Sequence, residues 1–382
     1  MKKKIILTGL AALALLLLAV GAWIMAVLSD LPDVALLKQY RPAAASEVLD
    51  RNGAIITHFY DRTFRVWTPI TAVPDRVIRA VVTAEDDTFF GHGGVNYKAV
   101  WEALQHDVRK KRFARGGSTI TQQMIKNVLL SKEKTIKRKV REFVLARQAE
   151  DLLTKRQILE IYLNEVEWGA GIHGIEAASR YYFDKHVAEL SAAQTALLAG
   201  MLPNPKYYDP FKRPDKSRQR QEQVLFNMFQ AKQMTEEEYR AALQEPLKLR
   251  DASSTRFDFA RLSGGERPCS QKVLERVLID TYGEQALYRK GLRITTTLDR
   301  SLQNGFTSTL VTGQTGTIDV PDSLLVLQEG NEIRAISCSG TEEDARFFIN
   351  TVNTPSTAYE VMSLPASAIT GERLILPETQ SP

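Results

Sequence analysis

Glu85, Asp86 and Asp87 stand in a row in "TAEDDTFFGHGGVN", followed by Phe89, Phe90 and His92 beside glycines. Adjacent carboxylates repel, so at least one must have a raised pKa or a cationic partner. The two phenylalanines add an apolar neighbourhood that pushes the same way, which is how a glutamate becomes a base near neutral pH. A solvated acidic turn is the ordinary alternative, and an isolated histidine such as His92 is more often a structural hydrogen-bonder than a catalyst.

A second block, "GGSTITQQ", opens a helix. Gly116 and Gly117 let backbone approach a ligand, Ser118 or Thr119 can cap the helix, and its free N–H groups make an anion site. Gln122 and Gln123 offer donors and acceptors to sugar hydroxyls or amides. The segment lacks the Lys-Ser/Thr ending of a nucleotide loop, and its plain alternative is a well-capped helix. A third block is basic. Lys134, Arg138 and Arg141 share a helical face flanked by Lys137 and Lys139, a pattern suited to pyrophosphate or to a merely solvated surface. Glu160 in "ILEIYLN" is a carboxylate inside an otherwise apolar helix, where an unpaired charge costs several kcal/mol and demands a partner or a ligand.

These blocks lie between about Pro74 and Leu247, where helical periodicity dominates. The stretches 75–87, 96–110, 119–130, 133–165, 172–182, 189–201 and 216–244 each predict a helix. Upstream, "EVLDRNGAIITHF" alternates around Asn52-Gly53, a hairpin signal. Downstream, 249–290 is mixed, while "GLRITTTLDRSLQ" and "SLLVLQEGNEIRAISC" read as strands, the second a hairpin around 329–331. The helix from residue 96 places Tyr97, Val100, Trp101, Leu104 and Val108 on one face and crowds Arg109, Lys110, Lys111, Arg112 and Arg115 at its end. Such a face fits an anionic bilayer surface or a core-facing helix with a solvated end.

The formal charge of the 382 residues is +5. Residues 106–142 hold twelve Lys/Arg and three Asp/Glu, a surplus of +9, which leaves −4 for the rest. A basic block of this kind predicts a polyanionic or anionic-surface partner. Lys2, Lys3 and Lys4 precede Ile5–Leu28, a run without a charge. It is too long for the apolar part of a cleaved signal and lacks a good cleavage site, so a single-pass anchor with its body outside the inner face is expected. Cys269 and Cys338 are far apart without metal-ligand spacing; they could pair in an oxidising compartment, and two lone thiols are the default expectation.

Taken together and in order, the blocks resemble the signatures of family 51 glycosyltransferases, the peptidoglycan polymerases that also form the first catalytic domain of class A penicillin-binding proteins. The resemblance rests on Glu85-Asp86-x-x-Phe89-x-x-His92-x-Gly94, Gly117-Ser118-Thr119-x-Thr121-Gln122-Gln123, Arg138-Lys139-x-x-Glu142 and Lys155-x-x-Ile158-Leu159-Glu160-x-Tyr162-Leu163-Asn164. It runs from about 46 to 215; Gln194 stands where the family pattern has an acid.

The resemblance implies a mainly α fold: a lysozyme-like glycosyltransferase domain behind one transmembrane helix, with a small α/β or β-rich remnant at the C-terminal end. The expected organisation is a cytoplasmic tail at 1–4, an anchor at 5–28, a stalk at 29–45, the glycosyltransferase domain at 46–250, a linker at 251–290 and the remnant at 291–382. The implied site has Glu85 and Glu160 as catalytic residues. Its implied substrate-binding residues are Asp86, Phe89, His92, Ser118, Thr119, Gln122, Gln123, Lys126, Arg138, Lys139, Glu142 and Asn164. Glu85 would deprotonate the acceptor 4-hydroxyl, the cations would neutralise the departing pyrophosphate, and Glu160 would orient that end. No cofactor is obligatory, with a divalent cation (Mg or Mn) as an option at the pyrophosphate. Partners would be lipid II, the growing lipid-linked glycan, the inner membrane and other cell-wall synthases, with no nucleic acid.

After Gly291 the chain resembles the join into a penicillin-binding transpeptidase. Its nucleophile block should read Ser-x-x-Lys, and the sequence there is "PSTAYEV", with Tyr359 for the lysine. Tyrosine is mostly neutral at pH 7 and a poor proton acceptor. Residues 356–382 contain neither Lys nor Asn, so the family's two later blocks are not expected there, nor is transpeptidation. Two other functions compete with polymerisation: a non-catalytic scaffold that binds lipid II or recruits synthases, and a lytic transglycosylase. The basic block and second carboxylate disfavour the latter, because a cutter of finished glycan needs neither.

Overall fold

The computed structural model describes residues 2–98, 101, 117–131, 133, 135–169, 171–251, 268–304, 323–329, 332–337, 360–365 and 368–375. The cations expected at 109–115, Cys338 and the block at 355–359 lie outside these residues. Helix α1 (Lys2–Leu28) contains the apolar run as one continuous element. Its stretch Leu10–Leu28 has a mean hydropathy of 2.6 and is only 6% covered by the rest of the protein. Among the described residues little of that apolar surface is covered by protein, and the helix is long and apolar enough to cross a membrane.

The first of two hydrophobic cores is built by helices α2 (Asp75–Glu85), α3 (Ile120–Leu129), α4 (Ile136–Leu152), α5 (Lys155–Glu165), α6 (Ile175–Phe183), α7 (Ala192–Met201), α8 (Pro214–Gln230) and α9 (Glu236–Gln244). Helix α7 is apolar apart from Gln194 and Thr195 and is buried from Ala193 to Met201, so it forms the centre, with α2 and α8 packed on it. The fold is mainly α, as expected.

Two expected long helices are each broken by a cap. The stretch 133–165 divides because Thr154 starts a new helix: its hydroxyl accepts from Gln157 N while Gln157 Oε1 accepts from Thr154 N. This reciprocal pair satisfies two donors that a helix start leaves open. The stretch 216–244 divides at Lys232, which has a left-handed φ of 55°, and restarts at a Thr235–Glu238 box.

Strands β1 (Ser46–Leu49) and β2 (Ile55–Phe59) form the expected antiparallel hairpin. Asp50 Oδ1 accepts from the N–H groups of Asn52 and Ala54, both at 2.8 Å, and Gly53 takes φ +84°. Strands β3 (Phe64–Arg65) and β4 (Ile172–His173) pair in parallel. Strand β5 (Arg293–Thr295) adds to β1 in parallel, and β6 (Ser323–Glu329) lies between β7 (Glu332–Ser337) and β8 (Glu360–Pro365).

The second core gathers β5, β6 and β7, the helices α10 (Cys269–Tyr282) and α11 (Glu284–Arg289), and the short helix α12 (Gly371–Leu374). Val48 and Phe59 of the first hairpin are fully buried within it. Residues 269–289, expected as linker, are therefore two helices with apolar faces in that core. Cys269 is disulfide-bonded, so of the two outcomes open to the cysteines the structure takes pairing and not the default of lone thiols. The signal was available: the chain's body was already expected outside the reducing cytoplasm.

Candidate active site

The three adjacent carboxylates fall into three environments. Glu85 is the last residue of α2, and burial pushes its carboxyl pKa up. Gln123 Nε2 donates to its Oε2 at 2.7 Å, and the charges of Arg220 and Lys126 oppose the rise. Asp86 breaks the helix and turns inward. Its Oδ2 accepts from Ile120 N at 3.0 Å, and both oxygens lie 3.0 Å from His92 Nε2. It thus covers the positive end of α3 and fixes His92. Gly94 N donates to His92 Nδ1 at 3.2 Å, which assigns the proton to Nε2. Asp87 is exposed.

Gly94 makes this corner possible. Its φ is +89°, and a Cβ there would meet the Ala146 carbonyl oxygen at 2.6 Å. Its own carbonyl accepts from Thr119 Oγ1 at 2.6 Å. Both strain and collision oppose a side chain, so Gly94→Ala is expected to destabilise the protein by at least about 2 kcal/mol. Denaturant unfolding measures it; an unchanged midpoint would contradict this packing.

The second block starts α3 as a capping box. Thr119 Oγ1 accepts from Gln122 N, and Gln122 Oε1 accepts from Thr119 N at 3.0 Å. Both side chains are buried and face the fold. Phe89 is fully buried too, with Lys155 Nζ 4.3 Å above its ring. Ser118 and Gln123 differ, because each meets a charged group: Ser118 Oγ accepts from Lys139 Nζ at 2.8 Å, and Gln123 holds Glu85.

The cations gather around one buried acid. Glu142 pairs with Lys139 Nζ at 2.8 Å and Arg138 Nε at 3.1 Å. Lys126, from α3, lies in the same field: burial pushes its pKa down, Glu142 pulls it up, and Arg138 and Lys139 push it down. Glu85 also acts on Lys126, so the carboxylate and the cationic cradle are electrostatic neighbours. With charges of +3 from the cations and −1 from Glu142, the cradle has two positive charges to match an anion of the pyrophosphate type.

Glu160 and Asn164 belong to a second network. Glu160 Oε2 accepts from Ile70 N at 2.8 Å. Asn164 donates to the carbonyls of Thr68 and Glu160 and accepts from Thr68 N, all at 2.8 Å. Asn164 therefore holds the 68–70 segment on α5. Among the described residues, no hydrogen bond or ion pair joins Glu160 to the Glu85 cluster.

Sequence reading missed Arg220. It lies on α8, far along the chain, yet its charge reaches Glu85. Its side chain packs on the face of α7 at Gly200, where a Cβ would stand 3.0 Å from Arg220 Cγ. In "SRQRQEQ" nothing local separates Arg220 from Arg218; only the packing of α8 on α7 does.

The family description "Transglycosylase" matches residues 52–229, a span that contains every group of the cluster just described. Those residues are a transglycosylase domain of the family 51 glycosyltransferases. Penicillin-binding protein 1A of Aquifex aeolicus is 35% identical over 79% of this chain and 40% of its own length. The protein of the same name from Vibrio cholerae is 31% identical over 79% and 36%. A crystal structure of penicillin-binding protein 1A from Haemophilus influenzae covers 80% of this chain and 49% of its own, at TM-score 0.40 and 16% identity. The chain thus spans two fifths or less of the length of these curated relatives. Within the transglycosylase domain, Lys126 is the group whose charge acts on Glu85 and which in turn feels Glu142, Arg138 and Lys139.

Proposed function

We propose that this chain polymerises lipid II into glycan strands at the outer face of the cytoplasmic membrane, anchored by α1 with Lys2 to Lys4 inside. The observation that carries the reading is the half-buried, Gln123-held carboxylate of Glu85, on which the charge of Lys126 acts, with Arg138 and Lys139 acting on Lys126 in turn. Glu85 takes the proton from the 4-hydroxyl of the acceptor's N-acetylglucosamine. That oxygen bonds to C1 of the donor's N-acetylmuramic acid as the C1–O bond to pyrophosphate breaks, with inversion. The electron pair leaves with the polyprenyl pyrophosphate, whose charge Lys126, Arg138 and Lys139 neutralise. Glu160 orients the lipid-linked end from its place beside Ile70. Charge neutralisation is assigned to these three cations, with a divalent cation (Mg or Mn) at the pyrophosphate as the alternative neutraliser.

The test is purified full-length chain with labelled lipid II. Muramidase-sensitive polymer and released polyprenyl pyrophosphate are expected; a folded, lipid II-binding protein that makes neither would leave only the scaffold reading. We also propose that the segment with Tyr359 in place of lysine carries out no transpeptidation. Fluorescent penicillin is expected to leave no covalent label on the chain, and an acyl adduct on Ser356 would overturn this.

A further inference from the structure

Helix α4 begins with the wrong charges for a helix start. Its first turn carries Lys137, Arg138 and Lys139 and no acid, although this end is positive and favours anions. Thr135 accepts only one of the free N–H groups, that of Arg138. Glu142 engages Arg138 and Lys139, while Lys137 is exposed and has no hydrogen bond or ion pair among the described residues.

This helix end lines a cavity of about 370 Å³, whose opposite wall is the chain leaving the anchor, Asp30 to Pro32. Arg141 lines it too. Its Nε donates to the Val27 carbonyl at 3.0 Å and its Nη2 to Asp30 at 3.2 Å, so it clasps the C-terminal end of α1. The lining holds three cations, Lys137, Arg138 and Arg141, against Asp30 and Glu133, a positive balance. Ile136 beside Lys137 is 77% exposed, and Leu36, on the turn packed against α4, is 62% exposed. Exposed apolar side chains around a cationic cavity at the end of a membrane helix match a bilayer interface, where acyl chains give way to phosphates.

We propose that this cavity binds the phosphate of an anionic phospholipid headgroup, with Lys137 and Arg141 as its charged ligands. The occupant is a bilayer lipid, not the substrate. A headgroup there would supply the negative charge that the start of α4 lacks and would hold α4 at a fixed depth relative to the anchor. The proposal stands independently of the polymerase reading, because it needs only the anchor and α4.

Binding is measured on the full-length chain in phosphatidylcholine nanodiscs. One arm adds a photoreactive phosphatidylglycerol and the other adds polyprenyl pyrophosphate. Phosphatidylglycerol is expected to crosslink at 129–141, and Lys137→Ala to weaken it about five-fold, with an unchanged melting temperature because Lys137 is exposed. In the other arm Lys139→Ala weakens polyprenyl pyrophosphate and Lys137→Ala does not. The proposal is overturned if phosphatidylglycerol shows no preference for this cavity, if Lys137→Ala leaves its binding intact, or if Lys137→Ala affects polyprenyl pyrophosphate alone.

Discussion

Glu85→Gln is expected to lower the polymerisation rate by about 10²- to 10⁴-fold while lipid II binding persists. The amide preserves the shape of the side chain, and Gln123 can turn its own amide to bond it, so the loss reads the missing proton acceptor. The pH dependence gives an independent check. Burial raises the Glu85 pKa, and the base must be deprotonated. The wild-type rate should therefore rise with pH through that raised value, and this acidic limb should vanish in the variant. Stability moves the other way. A carboxyl with a raised folded-state pKa contributes stability that is full below its unfolded value and is lost as pH rises through the folded one. The Gln variant escapes that loss, so near pH 8 it should be at least as stable as wild type. A variant that unfolds at pH 8, or one that polymerises normally, defeats the assignment of Glu85 as base.

Asp86→Ala should have the second largest effect, and on folding before chemistry. The buried carboxylate accepts from Ile120 N and from His92. Its removal strands the first N–H of α3 and the His92 ring away from water, a loss on the order of 3 kcal/mol. For a domain of this size that is about 10 °C in melting temperature. Asp86→Asn keeps an acceptor for Ile120 N and should lose less. Calorimetry on the two variants decides the matter. If Asp86→Ala melts with wild type but fails to polymerise, Asp86 acts on substrate and its structural assignment is wrong.

The contrast between these neighbours marks the limit of what sequence discloses here. That one of three carboxylates must be perturbed followed from their adjacency alone. Which one depended on where α2 ends, and a turn of one residue sends Glu85 toward Gln123 and Asp86 beneath α3. The hairpin at Asn52-Gly53 was legible because its turn chemistry is local. The division of 133–165 was not seen, although "TKRQ" is a capping box in plain sight, because apolar periodicity continued across it. Thr119, Gln122 and Asn164 were marked for substrate; Thr119 and Asn164 spend their hydrogen bonds within the protein, and Gln122 Oε1 does too, while Gln122 Nε2 has no partner among the described residues. Hydrogen-bonding residue types alone do not separate those that build a cleft from those that face it. Arg220 needed the tertiary packing of two helices to reveal it.

The hairpin β1–β2 has a consequence for dissection of the chain. On one side Glu47 is ion-paired with Arg180 of α6, and on the other Val48 and Phe59 are sealed beneath α10, α11 and β5. A cut near residue 250 would therefore lay bare two wholly apolar side chains and orphan an edge of β1, inviting self-association. Excised catalytic fragments of this protein should be sticky rather than merely shorter, and the segment that follows serves them as a fitted lid against aggregation.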